Sequence, residues 1–125
     1  SALGMWDDLV SANERAIAVV NAGRAKRGQP PSYCGHYPEW LIYGYYQQGR
    51  LHDADALLAA CNDGRAAAVE WADRNYDAKL GSSRTGAQVA DYLARSLASM
   101  RATAVIESPT SRAQALAIAI DTKDL

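Results

Sequence analysis

Cys34, Gly35 and His36 stand side by side, and His52 follows in the next helical segment. Cysteine and histidine are the residue types of a zinc site or of a Cys–His nucleophile. A structural zinc site is closed by four ligands, and one C-x-H with one distant histidine falls short of that. A nucleophilic pair needs a third group that orients the base, and none stands nearby. Gly23 and Gly28 have the spacing of the outer glycines of a phosphate loop, but Gln29 and Pro30 follow where Lys and Ser or Thr are required. The run Gly81-Ser82-Ser83-Arg84-Thr85-Gly86 could cradle an anion ahead of a helix. No strand precedes it, and it reads as a flexible linker. Asp7/Asp8 and Asp53/Asp55 are carboxylate pairs placed at expected helix starts, where negative charge complements the helix dipole. The reading is a non-enzyme with no catalytic residue, no metal and no cofactor.

The two cysteines are Cys34 and Cys61. They could form one disulfide outside the cytosol. Cys61 falls on the apolar face of its helix, where a free cysteine acts as a small hydrophobe, so the expectation is two free thiols. Net charge is -1, with 13 basic and 14 acidic residues intermixed. That balance offers no basic footprint for nucleic acid. No apolar run reaches the roughly 20 residues of a membrane span, and no basic, apolar leader opens the chain. The compartment expected is the cytoplasm.

Positioning these residues falls to helices. Apolar residues make up 49% of 125, enough for one domain with a core, and nothing alternates with the period of a strand. The first helix is expected over about Trp6 to Gly23, with Leu9, Ala12, Ala16, Val19 and Val20 as its stripe. A Pro/Gly loop follows from Arg24 to Tyr37. The second helix starts at Pro38, a residue suited to the first helical position, and ends near Gln48. The third covers Leu51 to Asn62, with Ala54, Leu57, Leu58 and Cys61 inward. The fourth runs from Arg65 to Leu80 and the fifth from Ala87 to Glu107. Ser108 caps a sixth, in which Ala113, Leu116, Ala117 and Ile120 are expected buried and Asp121 to Leu125 frayed.

From Trp40 to Cys61 the chain reads as helix, Gly-Arg turn, aliphatic residue, second helix. Tyr45, Gly49, Leu51, Ala54, Leu58 and Cys61 fall at the packing offsets of a tetratricopeptide unit, which the segment resembles. Gly4, Trp6, Leu9, Asn13 and Ala16 take equivalent places in an opening half-unit. Leu9 stands where alanine is usual, Leu51 replaces an aromatic, and the repeat of about 45 residues exceeds the standard 34. The resemblance covers roughly residues 3 to 62. It extends to bacterial tetratricopeptide-type proteins of unassigned role, in which a histidine-bearing helix precedes the Leu-Gly-x-Trp-Asp turn. It implies an all-α fold of about six helices in antiparallel hairpins, wound as a right-handed superhelix. A single domain over residues 1–125 is expected, with 63–125 as additional packing helices.

A hairpin of this kind has two faces. Leu41, Ile42, Tyr45 and Gln48 share the inward one. His36, Glu39, Tyr43, Tyr46 and Gln47 share the other, which lines the concave groove of a repeat solenoid. Tyrosines beside a Glu, a Gln and a His give apolar bodies with polar tips, a composition suited to a peptide. The function expected is a non-enzymatic module that binds a protein or peptide through these five residues. The alternative is a structural C-terminal part of a larger protein whose metal or active site lies upstream. A second copy of the chain, pairing through helix one, is the other partner considered.

Overall fold

The computed structural model describes residues 2–123, and side-chain burial over residues 4–120. Six helices follow one another: α1 (Ala2–Lys26), α2 (His36–Gln47), α3 (Leu51–Asp63), α4 (Arg65–Asn75), α5 (Gly86–Glu107) and α6 (Pro109–Lys123). No strand occurs among the described residues. The chain is all-α, as its 3.6-residue periodicities require.

α2 and α5 organise the interior. α2 packs on α1, α3 and α5, while α5 packs on α2, α3, α4 and α6. α5 therefore reaches back across the α2–α3 hairpin and closes a core. Val10 and Ile17 enter it from α1, Leu41, Ile42, Tyr45 and Tyr46 from α2, Ala54, Leu57 and Cys61 from α3, and Leu97 and Met100 from α5. The α2–α3 turn is tight. Gly49 has φ 72°, in the left-handed region that glycine enters without steric cost, and the Arg50 N–H donates to the Tyr45 carbonyl at 2.8 Å. α1 lies close on α2 at Gly44, where a Cβ would stand 2.7 Å from Val10 Cγ2 and 2.9 Å from Leu9 Cδ2. A polar cluster ties the same three helices. Tyr45 Oη donates to Glu14 at 2.9 Å, Arg50 sits 4.6 Å over the Tyr45 ring, and Arg50 Nε pairs with Asp53 at 2.9 Å. Burial, then the Glu14 hydrogen bond, pushes the Tyr45 pKa up to about 12.

Several expectations are corrected. Gly4, Asp7 and Asp8 lie inside α1 rather than at a turn or first helical turn. Gly23 is also helical, and a glycine costs a helix only about 1 kcal/mol. The stop comes at Gly28, with φ 73° and its N–H donating to the Ala25 carbonyl. Val10 and Ile17 are the buried residues of α1, with Leu9 of the expected stripe packed half-buried beside them, while Val19 is 71% exposed and Val20 is exposed. Contact with α2 across Gly44 sets this rotation. α2 begins at His36, so Pro38 is its third residue. α4 ends at Asn75, because Tyr76 turns extended (ψ 130°) and the Asp77 side chain accepts the Lys79 N–H in a turn of its own. α3 runs to Asp63, one residue past its expected end, and Gly64 precedes α4 with no side-chain cap.

α6 differs most. Ala113, Leu116, Ala117 and Ile120 are exposed, Leu116 by 63%: among the described residues the backbone of α6 packs on α5 and its Arg112 reaches Gln47 of α2, which leaves that face uncovered. Its start is as expected: Ser108 Oγ accepts the Ser111 N–H. The helix continues to Lys123, and the end of the segment expected to fray lies outside the described residues.

The thiols are not free. Cys34 and Cys61 form a disulfide with Cα atoms 4.9 Å apart, inside the range such bridges use. Cys61 does face the core, 1% exposed, as its helical position required. The bridge ties the α1–α2 loop to α3.

Candidate functional site

Residues from α2 and α5 line a groove of about 350 Å³: His36, Glu39, Trp40, Tyr43, Ser99 and Thr103. The α2 residues share one helical face by their i, i+3, i+4 and i+7 spacing. Ser99 and Thr103 are one turn apart on α5. The wall is hydroxyl, imidazole and carboxylate at the edges with two aromatic rings between.

The N-terminal end of α2 is fastened to α5 by a buried relay. Gly35 has φ 110°, and its N–H donates to Ser96 Oγ at 2.7 Å. Ser96 in turn donates to Glu39 Oε2 at 3.1 Å. The carboxylate is thus held by one oxygen, and Oε1 makes no hydrogen bond to a described residue. The positive φ favours glycine at this position, and Tyr92 Oη stands 2.9 Å from where a Gly35 Cβ would be. Tyr43 is set by an edge-on contact with Trp6 of α1, with ring centroids 5.5 Å apart. Trp40 is 60% exposed and His36 is exposed.

Of the five residues expected to share a groove, the structure brings together three: His36, Glu39 and Tyr43. Tyr46 is 8% exposed and belongs to the core cluster. It stands one turn after Ile42, and that spacing turns it inward. Gln47 is engaged elsewhere. Its Nε2 donates to Glu107 at 3.3 Å, and its Oε1 accepts from Arg112 at 2.9 Å. Arg112 also pairs with Glu107, and that bond holds the Glu107 carboxyl below the usual carboxylate range. Gln47 is thus part of the knot that fastens α6 to the end of α2.

Trp40 is the groove residue that sequence reasoning did not select. Its signal was its place four residues after His36 and three before Tyr43. Ser99 and Thr103 carried no signal, since small hydroxyl residues are ordinary on an exposed helix face.

Among the described residues, no three His, Cys, Asp or Glu converge on a metal position, and no helix is long and apolar enough to cross a membrane. His52 is exposed at the start of α3, away from the groove. No protein-family model matches the chain, and neither a curated protein nor a solved structure matches it.

Proposed function

We propose that this chain is a non-enzymatic helical interaction module of tetratricopeptide-like character, and that the groove between α2 and α5 receives a peptide segment of another protein. The observation that carries the reading is a solvent-open Trp40 beside Tyr43 in a groove walled by polar groups. Large aromatic side chains contribute most of the binding energy at protein interfaces, and they sit here on rigid helices. Glu39 lines the groove and uses one oxygen for Ser96, which leaves the carboxylate a second acceptor. The occupant is therefore a peptide with an apolar side chain, to lie against Trp40 and Tyr43, next to a lysine or arginine for Glu39. The Cys34–Cys61 bridge favours an oxidising compartment for this module over the cytoplasm expected from the sequence.

Selection of a displayed random peptide library against the intact, oxidised chain tests this reading. Enriched sequences pair an aromatic or branched apolar residue with a basic one. They bind Trp40→Ala and Thr103→Arg at least about tenfold more weakly, the scale of a lost interface anchor. Failure to enrich any sequence, or equal binding to both variants, overturns the proposal.

A further inference from the structure

A second cavity, of about 460 Å³, lies on the other side of the α1–α2 loop, between that loop, α4, the α4–α5 loop and α5. Three arginines from two chain segments line it: Arg24 and Arg27 at the end of α1 and in the turn after it, and Arg84 before α5. No Asp or Glu is among its lining residues, although the whole chain carries net charge -1. Arg50, Arg74, Arg95 and Arg112 each hold a carboxylate. Arg24, Arg27 and Arg84 form no ion pair among the described residues. Their hydrogen bonds go to neutral acceptors: Arg24 Nε to the Pro30 carbonyl at 2.8 Å, Arg27 Nε to Gln29 Oε1 at 3.1 Å, and Arg84 to the Gly81 and Ser83 carbonyls at 2.7 and 3.1 Å. These contacts fix the arginines without neutralising them. Burial and the charge of Arg27 both lower the Arg24 pKa, which is the mark of a guanidinium lacking a counter-charge.

Asp73 and Asp77, on and just after α4, do not pair with these arginines. Asp73 accepts the Gly86 N–H at 2.8 Å, and Asp77 accepts the Lys79 N–H at 2.9 Å. Trp71 and Tyr92 add aromatic surface to the same cavity. A volume of this size suits a small organic ligand. Guanidinium forks match the planar or tetrahedral oxygens of carboxylates and phosphates, and stack on aromatic faces.

We infer that the cavity bounded by Arg24, Arg27, Arg84, Trp71 and Tyr92 is a binding site for a small aromatic dianion, a ring bearing a phosphate or two carboxylates. The Gly81–Gly86 segment, first read as a linker, forms one wall of this site. Thr85 caps α5 there in a reciprocal box with Gln88, which holds the Arg84 backbone against the helix start.

Calorimetric titration of the oxidised chain at low salt tests the site. The probes are adenosine monophosphate, phthalate, adenosine and inorganic phosphate. At least one of the first two binds with a dissociation constant below about 1 mM. Adenosine and inorganic phosphate, each lacking half of the recognition, bind at least about tenfold more weakly. Arg84→Gln and Arg24→Gln each weaken the dianion by about tenfold, the loss of one charge-assisted pair, with the helical circular dichroism unchanged. Because Arg84 is exposed, its variant separates binding from folding should Arg24→Gln disturb the loop. The inference is overturned if neither dianion binds, if adenosine matches adenosine monophosphate, or if Arg84→Gln binds like the parent chain.

Discussion

Removing the Cys34–Cys61 bridge with the double substitution Cys34→Ala and Cys61→Ala is the perturbation whose size follows most directly from the structure. The bridge closes a loop with a sequence separation of 27. In the chain-entropy picture a crosslink of that length removes about 12 cal/mol/K from the unfolded ensemble, or about 3.6 kcal/mol at 25 °C. A chain of 125 residues, at ~2.1 cal/mol/K per residue, unfolds with an entropy of about 260 cal/mol/K, so the loss lowers Tm by about 14 °C. Alanine leaves the core site of Cys61 filled by a methyl group and introduces no buried polar atom, which keeps the packing penalty small. The assay is thermal unfolding followed by circular dichroism, for the oxidised chain, the reduced chain and the double variant. Intact mass with and without alkylation counts the free thiols. Reduced chain and variant melt together, well below the oxidised form, with the helical signal at low temperature retained. Two alkylatable thiols in chain refolded under air, or a Tm difference under about 3 °C, refutes the reasoning.

Two further outcomes follow from packing and ionisation. Gly44→Val places methyl groups where Val10 and Leu9 already stand 2.7 and 2.9 Å from a Cβ. It costs about 3 kcal/mol in urea unfolding, and a loss under about 0.5 kcal/mol would show that α1 does not pack there. Tyr45, with its pKa raised to about 12, favours folding in its neutral form. Its contribution is complete below the unfolded value near pH 10 and is lost as pH climbs towards 12. Tyr45→Phe flattens that alkaline decline in a pH series of unfolding experiments, whereas an unchanged slope assigns the decline to other groups.

The helices were legible because each carries apolar residues at a period of 3.6, and the inward face of α2 could be read from Leu41, Ile42 and Tyr45. What depends on neighbours was not legible. The stripe of α1 was placed only in part: Leu9 packs at Gly44 as expected, but the contact there turns Val10 and Ile17 inward and leaves Val19 and Val20 outside. Leu116 and Ile120 have the spacing of buried residues, yet burial needs an opposing helix face, and among the described residues none covers that side of α6. The Cys34–Cys61 pairing depends on how the α1–α2 loop lies against α3, which no local pattern records. Half of the groove followed the same logic. His36, Glu39 and Tyr43 lie on one readable face, but Ser99 and Thr103 meet them only after the chain returns through α5. In the second cavity, Arg84 likewise meets the Arg24/Arg27 end of α1 only through the fold.

A nuclear magnetic resonance titration of the isotopically labelled, oxidised chain with a peptide from the library selection addresses the central claim without intermediaries. Backbone amide shifts at residues 36–43 of α2 and 96–103 of α5 are the predicted response, with α6 and the Arg24 cavity unmoved. Shifts confined to the exposed face of α6, or centred on Arg24 and Arg84, would contradict it.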